Sequence, residues 1–265
     1  MNFSLKQIPE RSAKPRQAGL TMVMDKGLSL REAEDFVSVN AGYADLLKLG
    51  FGSAFVTPHL EKKIKVYRDA GLDVYFGGTL LEAFIVRKQF DDYLRLLEKY
   101  KMTHAELSDG SISLPHDKKC ELIKKLSKHV TVVSEVGSKE EGIIIHPNRW
   151  IEMMEKELQA GAWKVIAEAR ESGTVGIYRP NGRAHVTLIN KIVSRVPQEK
   201  IIWETPNKSG QTYFIKVFGA NVNLGNIAPT ETLAVETLRI GLRSDTFFSF
   251  IDAKSKAAFS TDGIE

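Results

Sequence analysis

Four short apolar segments of this chain end on a glutamate and recur roughly every thirty residues, with helix-like sequence between them. The glutamates are Glu106, Glu135, Glu168 and Glu204. Consecutive strands of a β/α barrel deliver the residues at their carboxyl ends to one mouth. Buried acids that face one another need cations to remain ionised. The pattern therefore predicts a barrel whose mouth holds a metal ion or cationic groups and acts on an anion.

Eight segments, most of them apolar and β-branched or aromatic, are typical of strands buried on both faces. They are residues 19–24, 43–49, 73–76, 104–107, 131–136, 163–168, 201–204 and 221–224. Amphipathic helical patterns separate them. One pattern begins after Ser29, which forms a predicted capping box with Glu32, and another predicts a single long helix over residues 80–101. This alternation predicts βαβ units and a parallel sheet.

The count of eight strands favours a closed barrel over an open doubly wound sheet. No glycine-rich dinucleotide fingerprint follows the first strand, where residues 24–27 read Met-Asp-Lys-Gly. The expected fold class is α/β, a single (β/α)8 TIM barrel with a short C-terminal extension. One domain spans residues 1–265, with the barrel over about residues 14–246 and a tail over residues 247–265.

Composition argues against several classes of function. The net charge is only +4 and the basic residues lack interleaved aromatic residues, so no nucleic-acid partner is expected. The single cysteine, Cys120, excludes an internal disulfide and fits a reducing compartment. The first residues lack an apolar signal core and no window is long enough to span a membrane, which predicts a cytoplasmic protein without a membrane partner. Apolar residues at 150–151 and 247–251 suggest a homo-oligomer interface.

Polar residues at the ends of the strands indicate an active site at the barrel mouth. Oxygen ligands without a cluster of histidine and cysteine favour Mg²⁺ over zinc. The expected ligands are Glu106, Glu135 and Glu168. Lys48 lies within an apolar run, so an ion pair or a contact with an anion is expected there. An acid after a strand is often only a helix N-cap, an alternative that stays open for Glu204.

Two loop regions are expected to bind an anion. The loops after strands seven and eight commonly bind phosphate in this fold, and here they contain Lys208, Gly225 and Asn226. Residues 77–79, Gly-Gly-Thr, offer a second set of backbone donors. The expected substrate is therefore a small phosphorylated anion.

Eight motifs between Lys14 and Thr246 share the pattern of a known family. They are Lys14-Pro15-Arg16, Lys48-Leu49-Gly50-Phe51-Gly52, Gly77-Gly78-Thr79, Glu106-Leu107-Ser108-Asp109-Gly110, Glu135-Val136-Gly137, Glu168-Ala169-Arg170-Glu171-Ser172-Gly173, Asn221-Val222-Asn223-Leu224-Gly225-Asn226-Ile227 and Gly241-Leu242-Arg243-Ser244-Asp245-Thr246. In these motifs the chain resembles the phosphosulfolactate synthase family.

The resemblance implies a carbon–sulfur lyase that adds sulfite to phosphoenolpyruvate with Mg²⁺ and gives (2R)-phospho-3-sulfolactate, in some archaea the entry to coenzyme M synthesis. It implies two small anionic substrates, phosphoenolpyruvate and sulfite. A general acid must protonate C2 of the substrate; Lys139 is the expected acid, with Lys48 as second choice. The cations expected to bind the substrate anions are Arg16, Lys48, Arg170 and Lys208.

Two other functions stay open at this point. The family pattern has two lysines after Glu-Val-Gly, whereas this chain has Ser138-Lys139. That difference leaves room for an Mg²⁺-dependent lyase or aldolase acting on another enolate-forming phosphorylated acid. The family also includes plant relatives associated with heat stress, so the third function is that of a non-catalytic stress protein. The clustered acids argue against it, because a scaffold has no need of buried charge.

Overall fold

The structure is a barrel of eight parallel strands. The computed structural model describes residues 2–137, 146–169, 172 and 176–259. The strands within these residues are β1 (Thr21–Asp25), β2 (Leu46–Leu49), β3 (Asp73–Phe76), β4 (His104–Leu107), β5 (Thr131–Val136), β6 (Ala162–Ala167), β7 (Ile201–Glu204) and β8 (Leu224–Ile227). Their order in the sheet is β3-β2-β1-β8-β7-β6-β5-β4, which confirms the predicted (β/α)8 TIM barrel.

The barrel is nearly closed between β3 and β4, the two ends of the hydrogen-bonded sheet. Side chains bridge this seam. Near the amino ends of the strands, the Thr103 hydroxyl lies 3.3 Å from Asp73 Oδ1. Near the carboxyl ends, the backbone N–H of Gly78 donates to Glu106 Oε1 at 2.8 Å. The seam therefore ends on one of the predicted mouth glutamates.

Helices connect the strands and also follow the last strand. Within the described residues they are α1 (Leu30–Asn40), α2 (Leu60–Asp69), α3 (Gly78–Val86), α4 (Phe90–Lys99), α5 (His116–Leu126), α6 (Pro147–Gln159), α7 (Val186–Val193), α8 (Lys208–Phe218), α9 (Thr232–Arg239) and α10 (Ala253–Phe259). The predicted capping box of α1 is present, because Ser29 accepts from the N–H of Glu32 and Glu32 accepts from the N–H of Ser29.

The single helix predicted over residues 80–101 is two helices, α3 and α4. Lys88 has a φ of +60°, a left-handed conformation that ends α3. The N–H of Lys88 bonds to the carbonyl of Ile85, and the N–H of Gln89 bonds to that of Phe84. This pair of bonds is the Schellman motif, which satisfies the last carbonyls of a helix. Glycine or asparagine is more common than lysine at this position of the motif, so no residue in the sequence indicated the break.

Four strands have the predicted bounds, and the last strand does not. β3, β4, β5 and β7 match, whereas the segment 221–224 was expected to be the eighth strand and the observed β8 is Leu224–Ile227. Asn223 explains the shift, because its side chain accepts from the N–H of Leu20 and donates to the carbonyl of Ile201. The residues before Leu224 thus form the connection below the barrel, and Gly225 and Asn226 lie within β8.

The core has an inner and an outer layer. Alternate strand residues fill the inside of the barrel, among them Met22, Tyr75 and Ile202. The intervening strand residues pack against the helices in two larger clusters. From the predicted tail, Phe250 packs against the outer layer while Phe247 is half exposed. Among the helices of the described residues, none has the length and apolar character needed to cross a membrane.

Buried cations close the amino end of the barrel. The Arg239 guanidinium is fully buried and donates to the carbonyls of Ala220, Val222 and Leu20 at 2.6–3.0 Å. Lys164 likewise donates to two carbonyls, those of Gln17 and Glu199. Strand connections leave carbonyls at this end without sheet partners, and buried carbonyls require donors. The cations therefore hold the bottom of the barrel together.

Replacing Arg239 with methionine should destabilise the protein strongly. Arg239→Met removes hydrogen bonds to three buried carbonyls. Those of Ala220 and Leu20 keep bonds from Arg11 and from the N–H of Leu224, whereas that of Val222 loses its described donor. A lost hydrogen bond costs about 0.5–1.5 kcal/mol and a buried polar group left unsatisfied about 1–3 kcal/mol. We expect the free energy of unfolding to fall by about 3 kcal/mol, measured by urea denaturation. Arg95→Met is the matched control, because Arg95 forms an exposed ion pair with Asp92 and such pairs contribute less than about 1 kcal/mol. Equal losses in the two variants would contradict this role of Arg239.

Candidate active site

A pocket of about 440 Å³ opens at the carboxyl ends of the strands. We call it the mouth pocket. Four glutamates and one lysine line it, each of them delivered by a strand or by the residue after a strand: Lys48 from β2, Glu106 from β4, Glu135 from β5, Glu168 after β6 and Glu204 from β7. All five side chains are buried. The parallel barrel thus collects residues 156 positions apart in sequence at one place.

Three of the carboxylates form a compact cluster. One oxygen from each of Glu135, Glu168 and Glu204 lies within 4.8 Å of the other two. Several contacts fix the backbone around them. The N–H of Glu168 bonds to the carbonyl of Val136, and the N–H of Ala169 donates to Glu204 Oε2 at 2.9 Å. The cluster therefore rests on neighbouring strand ends that are hydrogen-bonded to each other.

Gly137 allows β5 and β6 to approach closely at this point. Its φ is +148°, and a Cβ atom there would collide with the Glu168 side chain. A larger residue at position 137 would push the Glu168 side chain away from Glu135, which lies two residues before Gly137 in the chain. The glycine of the Glu-Val-Gly motif thus has a geometric role in the cluster.

Lys48 lies among the acids. Its Nζ is 2.9 Å from Glu106 Oε1, 3.6 Å from Glu204 Oε1 and 3.9 Å from Glu135 Oε2. Burial by itself would lower the pKa of this lysine, but the carboxylates of Glu106, Glu204 and Glu135 outweigh it and raise the pKa above its ordinary value. Lys48 is therefore a permanent positive charge in the mouth pocket.

Glu106 is held in place through its Oε1 oxygen. That oxygen accepts from Lys48 and from the N–H of Gly78, while Oε2 has no hydrogen-bond partner among the described residues. The expected metal ligands were Glu106, Glu135 and Glu168. The structure instead groups Glu204 with Glu135 and Glu168, and pairs Glu106 with Lys48. Glu204 thus has a larger part in the cluster than a helix cap or a loop support would have.

The electrostatics of Glu204 reflect this crowding. Burial and the neighbouring Glu135 carboxylate raise the pKa of Glu204 from 4.5 to about 7, although Lys48 and the N–H of Ala169 act in the opposite direction. A cation placed among the three acids would relieve the same repulsion. The donor set consists of carboxylate oxygens, which are the ligands that Mg²⁺ prefers. The residues of the cluster therefore fit a hard divalent cation.

The predicted anion nest lies beside the acids. Gly77 precedes α3 as its N-cap, and residues 77–79 line the mouth pocket. A Cβ on Gly78 would collide with Ser108, so α3 can start this close to β4 only with glycine there. The N-terminus of a helix attracts anions through its free N–H groups. The pocket can thus accept an anionic group beside the carboxylates.

The other predicted anion contacts have different positions. Asn226 lines the mouth pocket with a φ of +54°. Gly225 faces Met22 and Ile202 in the barrel interior, where it leaves room for their side chains. Lys208 is not among the described residues that line the pocket, and its Nζ lies 2.6 Å from Asp245 Oδ2.

Arg16 lies at the opposite end of the barrel. Its guanidinium bonds to Asp45 Oδ1 at 2.8 Å and to the carbonyl of Ser12, in a cleft at the amino ends of the strands. This placement corrects the expectation that Arg16 contacts a substrate anion in the mouth. The physical reason is that Arg16 precedes β1 and therefore enters from the bottom. Lys139 and Arg170 lie outside the described residues.

Two supporting residues were not predicted from the sequence. Glu82 is buried in α3 and accepts from the N–H groups of Gly110 and Ser111, which fixes the loop after β4 against the pocket. Lys119 is buried in α5 and bonds to the carbonyl of Glu135. A lysine among other lysines on an amphipathic helix is normally exposed, so its position in the helical pattern could have revealed it: it lies one turn before Leu122 and Ile123.

The sequence is similar to known proteins over most of its length. Residues 9–245 match the family described as (2R)-phospho-3-sulfolactate synthase. A phosphosulfolactate synthase of Bacillus subtilis is 37% identical over 250 residues, which cover 93% of this chain and 99% of that protein. One of Methanothermobacter thermautotrophicus is 38% identical over 244 residues, covering 90% and 95%. The chain belongs to the phosphosulfolactate synthase family.

Solved structures share the barrel at low sequence identity. The 3-hexulose-6-phosphate synthase from Salmonella typhimurium superposes with a TM-score of 0.56 at 11% identity, over 84% of this chain and 100% of that one. An N-acetylneuraminate lyase from Fusobacterium nucleatum gives 0.56 at 8% identity, over 91% and 79%. At these identities the likeness shows the fold alone, and the family assignment rests on the sequence matches.

The raised pKa of Glu204 predicts how stability depends on pH in this family member. Since the folded state holds the proton more tightly, Glu204 contributes stability that is complete below pH 4.5 and is lost as the pH rises through about 7. One pKa unit corresponds to about 1.4 kcal/mol, so the loss is roughly 3 kcal/mol. Urea denaturation in the presence of a chelator, at steps from pH 4.5 to 8, measures it.

Glu204→Gln is the control for this prediction, because it keeps the shape of the side chain and removes its titration. We expect the variant to lose less stability than the natural chain over the same pH range. Parallel stability curves for the two proteins would show that Glu204 is ionised throughout the range and would contradict the raised pKa.

Proposed function

We propose that this chain catalyses the Mg²⁺-dependent addition of sulfite to phosphoenolpyruvate, giving (2R)-phospho-3-sulfolactate. The observation that carries the proposal is the cluster of Glu135, Glu168 and Glu204 at the mouth of a barrel that belongs to the phosphosulfolactate synthase family. The mouth pocket has the size expected for a small substrate. Its acids suit a metal ion and its glycine-rich wall suits an anionic group.

The metal would be held by Glu135, Glu168 and Glu204, with Glu106 beside them in the same pocket. When bound, Mg²⁺ supplies the positive charge that stabilises negative charge developing on the substrate carboxylate. The chain's part is to fix the carboxylates in advance, and the backbone bonds at Glu168 and Ala169 do this. Positions that are fixed before the reaction cost no reorganisation during it.

The proposed reaction forms one bond to sulfur and one to hydrogen. The lone pair on sulfur attacks the methylene carbon of phosphoenolpyruvate and forms the C–S bond. The π electrons of the C2–C3 double bond move to C2 and the carboxylate. A proton is then added at C2, and the phosphate ester bond stays intact. The only further reactant is the proton, so the role left for a side chain is that of a general acid.

Two lysines divide the remaining roles in the proposal. Lys48 keeps its proton because three carboxylates raise its pKa, which suits it to hold charge in place and not to donate a proton. Lys139 follows β5 in sequence and is proposed as the general acid. Arg170 and Lys208 are proposed partners of the substrate anions. Asn226, unlike Lys208, lines the mouth pocket.

Purified protein mixed with phosphoenolpyruvate, sulfite and Mg²⁺ should consume the enol. We expect loss of the enol absorbance that requires all three additions, and a single phosphorylated product in the phosphorus NMR spectrum. Omission of sulfite is the matched control, because a lyase or aldolase acting on another phosphorylated acid would not depend on it. Folded protein that gives no sulfite-dependent loss would contradict the proposed reaction.

Replacement of the proposed general acid should slow turnover more than it weakens binding. For Lys139→Ala we expect kcat to fall by about 10²-fold or more, the usual contribution of general acid catalysis, with little change in the KM for phosphoenolpyruvate. Steady-state kinetics at saturating Mg²⁺ measure both constants. Lys124→Ala, an exposed lysine of α5, is the control. Unchanged kcat in Lys139→Ala would remove Lys139 from this role.

A further inference from the structure

Lys119 is a fully buried lysine that does not line the mouth pocket. It projects from α5, and its Nζ lies 2.9 Å from Asp109 Oδ1 and 3.1 Å from Glu157 Oε1 of α6. A third contact joins the same Nζ to the backbone carbonyl of Glu135. All three partners are acceptors, so each proton of the ammonium group has a partner. Lys119 thus connects two helices and one loop to the strand that carries a cluster glutamate.

Glu157 extends this buried network on the far side of Lys119. Its Oε2 accepts from the Ser134 hydroxyl at 2.6 Å, and its Oε1 lies 3.1 Å from His116 Nε2. Ser134 is the residue before Glu135 in β5. The network therefore holds β5 at two consecutive residues, through a side chain at Ser134 and through the main chain at Glu135.

The contact with Glu135 occurs where β5 loses its neighbour. The register between β4 and β5 runs from His104 opposite Thr131 to Leu107 opposite Ser134, and ends there. On the other side, β6 remains paired with β5 through Val136. At Glu135 the strand is thus supported by β6 on one side, and the described donor on the other side is Lys119. The Lys119 ammonium group thus donates to the Glu135 carbonyl at the point where pairing with β4 has ended.

Stability alone gives no reason for an ion pair at this position. Buried ion pairs can often be replaced by apolar residues of similar volume without loss of stability. An apolar side chain could not, however, donate a hydrogen bond to the Glu135 carbonyl. The orientation of this peptide determines where the Glu135 side chain leaves the strand, and the chain turns at Gly137 only two residues later.

We propose that Lys119 is a positioning residue for the metal site, which acts by holding the peptide of Glu135 so that its carboxylate meets those of Glu168 and Glu204. The proposal rests on the proposed function, because it requires that the cluster bind a divalent cation. Residues that orient metal ligands typically change metal affinity by about 10-fold to 100-fold when they are replaced.

The test compares two variants that differ only at Lys119. Glu157→Gln removes the charge of Glu157 but leaves the contacts of Lys119 with Glu135 and Asp109. Adding Lys119→Met to it removes the donor without leaving Glu157 as an unpaired buried charge. Mn²⁺ serves as the probe, and its binding to the purified chain and to both variants is followed by electron paramagnetic resonance. Thermal unfolding confirms that each protein is folded, and Glu204→Gln is the positive control for a damaged cluster.

We expect Glu157→Gln to bind Mn²⁺ within about twofold of the natural chain, and the double variant to bind at least about tenfold more weakly. Equal affinities of Glu157→Gln and the double variant would overturn the positioning role and leave the metal site intact. Equal weakening in both variants would also overturn it, since the effect would then belong to the whole network. If the natural chain bound no Mn²⁺, the metal site itself would fail, and the positioning role with it.

Discussion

The mouth of this barrel places four carboxylates and one lysine in a single pocket within the part of the chain that the structure describes, and the local features of the site follow from that arrangement. Buried carboxylates repel one another and lose hydration, so they must gain protons or cations. Lys48 supplies part of the positive charge that the acids require. The carboxylates in turn raise the pKa of Lys48, so the lysine stays protonated. Burial and the repulsion that Lys48 does not offset raise the pKa of Glu204 to about 7. A divalent cation among Glu135, Glu168 and Glu204 would remove the remaining repulsion, which is why the proposed function includes one.

The barrel separates its charges along its axis. At the amino ends of the strands, buried cations such as Arg239 and Lys164 bind backbone carbonyls, which are numerous there because the strand connections leave them without sheet partners. At the carboxyl ends, glutamates lie beside backbone N–H groups, such as that of Gly78. Each end therefore has side chains of the sign that complements its main-chain dipoles. At the bottom these contacts serve stability, whereas the described side chains that line the mouth pocket include four carboxylates and one lysine, which suit it to bind a cation.

The sequence predicted the barrel and the strands that carry the glutamates, because buried parallel strands are continuous apolar runs and the spacing of the acids is regular. It failed where the deciding contact is remote in sequence. Nothing near Glu204 shows that its carboxylate meets those of Glu135 and Glu168, and nothing near Arg16 shows that it enters the barrel from below. The eighth strand was misplaced because Gly225 and Asn226 have low strand propensity, and only the fit of Gly225 against Met22 and Ile202 explains its place in the strand. The local sequence pattern identified the strands, whereas tertiary packing determined the roles of the individual residues.

Two anionic substrates and a ring of acids would repel each other, so the proposed reaction demands that the cations be placed between them. Lys48 meets this demand because it contacts Glu106, Glu135 and Glu204 at once and cannot lose its charge near neutral pH. A lysine held this firmly is poorly suited to proton donation, since a general acid works best with a pKa near the working pH. The role of charge carrier and the role of acid therefore belong to different residues. That division is why the proposed reaction assigns the acid to a second lysine, Lys139, which follows β5 in sequence.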